Sequence, residues 1–156
     1  MKRGSPFDCS LRILALRDHS EAELKRKLKE KGYEEQGIGE SVARLRELGL
    51  LDDARFARSF ASSAVRNGRG YGGRLKLELA RRGVEAGIVS EVLAEISEEF
   101  SESELLAGMI ARRYAGFDPA TATDKEKRKV VGYLQRKGFS LSVIFRQLNG
   151  HGCPGE

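Results

Sequence analysis

The sequence of 156 residues contains no tryptophan, and only 7% of its residues are aromatic. Charged residues make up 33% of the chain and hydrophobic residues 40%. A chain with this much charge and so little valine, isoleucine and aromatic content does not favour a sheet that is buried on both faces. Leucine, alanine, glutamate, lysine and arginine dominate instead, and all of them favour the α-helix. We therefore predict an all-helical protein with small cores.

Cysteines and long apolar runs are also scarce. The two cysteines, Cys9 and Cys153, stand near opposite ends of the sequence. They do not make a disulfide framework, and they are typical of a protein in a reducing cytosol. The apolar run at residues 11–16 contains Arg12 and is too short for a signal peptide or a membrane span. We therefore expect a cytoplasmic protein with no membrane segment.

The sequence shows neither a metal site nor a catalytic constellation. His151 and Cys153 are neighbours, but they lie in a tail at residues 150–156 that we expect to be flexible, and Cys9 and His19 are distant. No Ser-His-Asp, Cys-His or paired-carboxylate arrangement stands out. The acidic pairs at 52–53 and 98–99 fit helix N-caps and surface positions better, and His19 fits a contact at a helix start. We predict no cofactor, no metal and no enzymatic activity.

The net charge of +5 is unevenly distributed along the chain. Residues 54–84 carry eight basic side chains and one acidic one, whereas residues 85–104 carry seven glutamates and no basic side chain. These blocks either pair with each other inside the fold or meet partners of opposite charge. For the basic block, the first candidate partner is nucleic acid.

One pattern occurs three times: an apolar residue, another four positions later, then a base, a glycine and an apolar residue. The glycines are Gly32, Gly83 and Gly138. Apolar residues four apart share one helix face, the base suits the negative end of the helix dipole, and glycine ends a helix in the left-handed conformation. A second amphipathic helix follows each glycine, and a third helix follows in the first two repeats.

We predict a short N-terminal helix within residues 1–19, three-helix repeats at 20–67 and 68–116, and a partial repeat at 117–149. These helix-turn-helix-like units would form an elongated, curved array. Ser20 and Ser101 open capping-box patterns, each with a glutamate three residues later. The predicted helices span residues 8–17, 21–31, 37–48, 53–66, 73–82, 86–98, 102–115, 125–137 and 141–148.

Candidate binding residues concentrate in the basic block, around the glycine segment, which we define as residues 67–73. Backbone N–H groups and arginines there can hold phosphate, and Tyr71 can stack on a base or on a partner side chain. The alternative is a flexible linker whose glycines only permit a turn. The segment is not a P-loop, because it lacks the Gly-Lys-Ser/Thr ending and a preceding strand. The candidate residues are Arg55, Arg58, Arg66, Arg69, Tyr71, Arg74 and Lys76.

Reading of bases in the major groove is not favoured. The second helices of the first two repeats carry glutamates on their exposed faces, and acidic faces repel phosphate. These glutamates are Glu40, Glu47, Glu91, Glu95 and Glu98.

Three motifs resemble the bacterial RecX regulatory proteins. They are Gly-Leu-Leu-Asp-Asp-Ala-Arg-Phe-Ala at 49–57, Gly-Tyr-Gly at 70–72 and Leu-x2-Glu-Leu-x3-Gly at 75–83. The run Arg-x2-Ser-x2-Glu-Leu-x3-Leu-x2-Lys-Gly-Tyr at 17–33 is similar to the first repeat of that family. The resemblance extends over about residues 10–149 and is weaker in the third repeat.

RecX proteins consist of tandem three-helix repeats, and the resemblance implies a modulator of the RecA recombinase. Such proteins bind RecA filaments on single-stranded DNA within the filament groove. They inhibit strand exchange, ATP hydrolysis and co-protease activity, and have no established catalytic site. The resemblance thus implies RecA and single-stranded DNA, with double-stranded DNA as a further possibility, as partners of a monomer. Our hypothesis is that the basic block faces DNA or acidic filament surface and the glutamate block faces basic RecA loops. The alternative is a general nucleic-acid-binding helical repeat protein without RecA contact.

Overall fold

In a computed structural model, which describes residues 4–149, the protein is all-helical, as predicted, and these residues form nine helices and no strand. The helices are α1 (Pro6–Leu16), α2 (Glu21–Glu30), α3 (Glu35–Glu47), α4 (Asp53–Arg66), α5 (Gly72–Arg81), α6 (Ala86–Glu99), α7 (Glu102–Arg113), α8 (Asp124–Arg136) and α9 (Leu141–Asn149). The predicted tail at 150–156 lies outside the described residues.

Every predicted helix is present, and the ends differ from the prediction by two residues or fewer. The start of α1 shows why ends differ. Ser5 caps this helix, because its hydroxyl oxygen accepts a hydrogen bond from the backbone N–H of Asp8 at 3.0 Å. Pro6 then occupies the first turn, where its missing N–H is not needed. The helix therefore begins two residues before the apolar periodicity alone would place it.

The three repeated glycines end their helices as predicted. Gly32, Gly83 and Gly138 have φ angles of +89°, +79° and +100°. In the first repeat the N–H of Gly32 bonds to the carbonyl of Lys29, and the N–H of Tyr33 bonds back to the carbonyl of Leu28. This pair of bonds is the Schellman motif. The same two bonds recur at Gly83 and at Gly138.

The predicted serine caps are also present. The hydroxyl oxygens of Ser20 and Ser101 accept hydrogen bonds from the backbone N–H groups of Glu23 and Glu104, at 3.1 and 3.3 Å. Asp52 caps α4 in the same way, because its carboxylate accepts the N–H of Arg55 at 3.1 Å. These bonds satisfy donors that have no partner inside the helix.

The chain divides into two compact units. Of the described residues, the first holds 4–60 together with 78–92, and the second holds 61–77 together with 93–149. In the first unit, α1, α2 and α3 pack on one another. Their core consists of Cys9, Ile13, Leu24, Leu28, Ile38, Val42, Leu45 and Leu51.

In the second unit, α9 packs on α7 and α8. Leu106, Leu134 and Ile144 are fully buried there. Glu102 of α7 accepts the backbone N–H of Ser140 at 2.8 Å, just before α9 begins. On α6 in the first unit, Val89 is buried, whereas its neighbour Ile88 is only partly buried.

Candidate interface

The seven predicted binding residues fall into both units. Arg55 and Arg58 belong to the first unit, and the other five belong to the second. Arg55 and Arg58 are exposed on α4. Arg55 also serves the fold, because its Nη1 donates a hydrogen bond to the carbonyl of Gly49 at 3.0 Å. That carbonyl lies just after the end of α3, where cations are favourable.

In the second unit, the glycine segment packs on the turn between α8 and α9. The backbone N–H of Tyr71 donates to the carbonyl of Lys137 at 2.8 Å. The ring of Tyr71 stacks on that of Phe139, with centroids 5.7 Å apart and planes 8° from parallel. A Cβ at Gly138 would overlap the Tyr71 carbonyl oxygen, so the two backbones approach closely only because this residue is glycine. The glycine segment is therefore a packed part of the second unit.

Tyr71 accordingly has a packing role in this structure. Only 8% of the residue is exposed, so its ring contacts Phe139 rather than a surface where a base could stack. Burial raises the pKa of the Tyr71 hydroxyl, and the negative charge of Glu102 adds to the effect. Tyr71 therefore holds the glycine segment against the turn between α8 and α9.

The cations around the glycine segment differ in what they contact. Arg66, at 65% exposure, lies 3.5 Å from the carboxylate of Glu99, which is one contact between the basic and acidic blocks. Arg69 is exposed and donates to the hydroxyl of Ser63 at 3.0 Å. Lys76 is exposed on α5, whereas Arg74 is half-buried beside Gly138. Arg69 and Lys76 are thus exposed cations, whereas Arg66 is exposed but paired with Glu99.

The structure adds a cation to this group. A cavity of about 250 Å³ in the second unit is lined by Arg66 and Arg112, with Glu99 and Glu104 beside them. Arg112 lies in the last turn of α7 and is exposed. The sequence gives no sign of this pairing, because the two arginines are more than forty residues apart. Two guanidinium groups and two carboxylates therefore share this cavity, and Arg66 already pairs with Glu99 there.

Another member of the basic block, Arg82, is used inside the first unit. The carboxylate of Glu23, which is 4% exposed, lies 3.0 Å from Arg17 and 3.6 Å from Arg82. The hydroxyl of Ser20 also donates to the carbonyl of Arg82. Burial by itself raises the pKa of the Glu23 carboxyl, but the hydrogen bond and charges of the arginines outweigh it and lower that pKa. Arg82 therefore stabilises the fold.

No described helix is long and apolar enough to span a membrane. Within residues 4–149, no group of three or more histidine, cysteine, aspartate or glutamate side chains is placed to hold a metal ion. His19 lies at the start of α2, as predicted, where its Nδ1 bonds to the carbonyl of Arg17. Cys9 is a buried free thiol. His151 and Cys153 lie outside the described part of the chain.

Comparison with known families matches three adjacent stretches of the chain. The model of the first three-helix domain of RecX matches residues 7–45, the second matches residues 52–93 and the third matches residues 101–148. Each stretch contains three of the helices described above. The chain thus carries the three RecX domains in their order.

Curated relatives and solved structures agree with this match. The regulatory protein RecX of Trichlorobacter lovleyi is 40% identical over 148 residues, which cover 93% of this chain and 96% of the relative. That of Syntrophotalea carbinolica is 34% identical, with 92% and 94% covered.

Two crystal structures share the fold. One of a regulatory protein RecX has a TM-score of 0.75 at 24% identity and covers 92% of this chain and 70% of its own. That of RecX from Lactobacillus salivarius has a TM-score of 0.73 at 23% identity, with 92% of each chain covered. The match to a family of regulatory proteins agrees with the expectation that the chain is not an enzyme. From its three domains and from its relatives, the chain belongs to the RecX family of regulatory proteins.

Proposed function

We propose that this protein binds the RecA filament on single-stranded DNA and inhibits its recombinase, ATPase and co-protease activities. The observation that carries the proposal is the match to all three RecX domains, in order, over nearly the whole chain. The proposal takes the RecA filament and single-stranded DNA as the partners.

The surface charges support a contact with DNA phosphates. Arg66, Arg69 and Lys76 are exposed in the second unit, and Arg112 adds a cation at the Arg66 cavity. Each phosphate that a protein neutralises releases counterions, so the affinity falls as the salt concentration rises. The exposed glutamates of α6, Glu91, Glu95 and Glu98, offer opposite charge for basic segments of RecA.

The test follows ATP hydrolysis by RecA on single-stranded DNA while the purified protein is added. We expect inhibition below one copy of this protein per RecA protomer. No inhibition at saturating protein, with DNA binding intact, would instead identify a general nucleic-acid-binding repeat protein.

A charge-reversed variant tests the interface. Arg69→Glu combined with Lys76→Glu should weaken filament binding by about tenfold or more and make it less dependent on salt. Both side chains are exposed, so the fold should persist. The matched control is Arg12→Glu with Arg26→Glu, which makes the same charge change at exposed positions of the first unit. Equal losses in both variants would show that net charge, and not this interface, determines binding.

The grouping of helices into repeats stays a proposal, as do the elongated array and the monomeric state. Our repeats begin at residues 20 and 68, whereas the matched domains begin at residues 7, 52 and 101. Sedimentation velocity of the full chain would measure its mass and frictional ratio. A monomer with a frictional ratio well above that of a sphere is the expected result.

A further inference from the structure

A groove of about 560 Å³ between α8 and α9 has no role in the site described above. Its walls consist of Asp124, Lys127, Arg128, Val131, Gly132, Gln135 and Phe145. All of these residues belong to the second unit, and none is among the seven predicted binding residues. The groove combines an apolar floor with cations at its edge.

The apolar part of this groove continues along α9. Phe145 is 47% exposed and Leu141 is 43% exposed. Because they are four residues apart, they lie on one face of the helix, whereas Ile144 is fully buried. The two side chains thus place exposed apolar surface on one face of α9.

The groove carries two cations and one carboxylate, that of Asp124. Within residues 4–149, neither Lys127 nor Arg128 forms an ion pair with a carboxylate at 4 Å or less, so the groove keeps an excess of positive charge. Arg128 contacts only the backbone of its own helix, where its Nε donates to the carbonyl of Asp124 at 3.3 Å. Both cations are therefore available to a negatively charged partner.

Gly132 makes room in the floor of the groove. It lies inside α8, where glycine costs stability relative to alanine. It is not among the glycines with positive φ, and the atom that an added Cβ would approach most closely is Nη1 of Arg136, at 3.3 Å. That atom is the far end of a flexible side chain. Packing inside the chain therefore does not require glycine here, and the missing side chain leaves space in the groove.

The first repeat contains a corresponding groove with different chemistry. When Gly32 is aligned with Gly138, Arg26 corresponds to Gly132, Lys29 to Gln135 and Gly39 to Phe145. The groove of about 390 Å³ at Arg26, Lys29 and Gly39 lies between α2 and α3. There the cations are paired: Arg26 with Glu30 and Lys29 with Glu35, each at 3.9 Å. Exposed apolar residues with unpaired cations are thus a feature of the α8–α9 groove.

We propose that the α8–α9 groove binds an acidic amphipathic helix of the protein partner. The apolar residues of that helix pack on Phe145 and Leu141, and its carboxylates pair with Lys127 and Arg128. A nucleic acid base would stack on Phe145 but would leave the aliphatic Val131 of the groove and Leu141 of the same α9 face unused, so the groove favours a protein segment. This inference rests on the proposed function, which makes the RecA filament that partner.

The experiment measures two affinities for each variant. Fluorescently labelled protein is titrated with RecA filaments assembled on single-stranded DNA with a non-hydrolysable ATP analogue, and separately with the same DNA alone. Gly132→Ala should raise the Tm, because alanine favours the helix, and should weaken filament binding by about tenfold because its methyl group fills the groove. Phe145→Ala should weaken filament binding at least as much, because it removes an aromatic anchor. DNA binding should stay unchanged in both variants.

The matched control is Gly39→Ala, at the position in α3 that corresponds to Phe145. A Cβ at Gly39 meets no atom within 4 Å, so this change should also raise the Tm but should leave filament binding unchanged. The two alanine variants gain the same kind of helix stabilisation and differ in the groove that they fill. A loss of folding therefore cannot imitate the expected result.

The outcomes separate this inference from the proposed function. If the wild-type protein does not bind RecA filaments, both are wrong. If the wild-type protein binds RecA filaments and both Gly132→Ala and Phe145→Ala bind them as tightly as the wild type, the groove is not the docking site and the proposed function stands. A parallel loss of binding to DNA alone would show that the occupant is nucleic acid, and an equal effect of Gly39→Ala would remove the specificity for the α8–α9 groove. Either result overturns the inference.

Discussion

Gly138→Ala should destabilise the second unit because two conditions require glycine at this position. Its φ of +100° is unfavourable for a residue with a side chain, at a cost of about 1–2 kcal/mol. In addition, an alanine Cβ would overlap the carbonyl oxygen of Tyr71, a backbone atom that cannot move aside as a side chain can. Relief requires the glycine segment to separate from the α8–α9 turn.

The interactions that this separation breaks determine how far the free energy of unfolding falls. It breaks the bond from the Tyr71 N–H to the Lys137 carbonyl, which contributes about 1 kcal/mol. It also disrupts the stacking of Tyr71 on Phe139, which contributes about 1 kcal/mol beyond its buried area. Gly138→Ala should therefore lower the free energy of unfolding by about 3–4 kcal/mol.

Gly49→Ala is the matched control for this change. Gly49 also ends a helix, with a φ of +72°, but a Cβ there meets no atom within 4 Å. Only the backbone cost of about 1–2 kcal/mol applies. The two variants should thus differ by about 2 kcal/mol, which is roughly 4–8 °C in Tm for a chain of this size.

Thermal and urea unfolding followed by circular dichroism measure the difference, and hydrogen exchange locates it. The amide of Tyr71 should exchange faster in Gly138→Ala and at the wild-type rate in Gly49→Ala. Equal losses of stability in the two variants, with Tyr71 still protected, would refute the close approach of the glycine segment to Gly138.

Three further predictions concern the first unit. Burial of His19, which is 3% exposed, lowers its pKa below the ordinary 6.5, and the charge of Lys27, whose Nζ lies 3.0 Å from Nε2, acts in the same direction. Urea midpoints should therefore fall as the pH drops below 6.5, and His19→Gln should flatten this dependence. Glu23→Gln should lower the free energy of unfolding by only about 1–2 kcal/mol at neutral pH, since the partly exposed arginines regain water. Because the pKa of Glu23 lies below 4.5, this loss should fade as the pH falls below that value. A loss that is constant with pH would contradict the ion pair. A Cβ at Gly83 would overlap that of Ala22, so Gly83→Ala should destabilise the first unit. A double-mutant cycle with Ala22→Gly should show a favourable coupling of about 1 kcal/mol. Additive changes in the free energy of unfolding would argue against the contact.

Much of the helical architecture follows from the sequence, because the interactions that define it are local. The two Schellman bonds at Gly32 join residues three and five positions apart, and the cap at Ser20 joins residues three positions apart. Apolar spacing within one helix predicts which face is buried. These signals require no knowledge of the neighbouring helices, so the nine helices are predicted almost to the residue.

The candidate interface was predicted less completely, because residue type does not determine exposure. Tyr71 stands among glycines and arginines, a context typical of a surface loop, yet it is buried against Phe139. Arg82 belongs to the basic block by sequence, yet it pairs with a buried carboxylate. Phe139 and Glu23, the residues that Tyr71 and Arg82 contact, lie more than fifty residues away along the chain, and no local sequence pattern predicts these contacts.

The sequence by itself determined the helices, their caps and glycine turns, and the uneven distribution of charge. The tertiary structure decided which cations remain available, why Gly138 must be glycine, and that Phe145 and Leu141 stay exposed beside unpaired cations. The physical reason is the range of the interactions involved. Helix periodicity and capping act within a few residues, whereas burial, ion pairing and close backbone approach depend on which distant segments fold together.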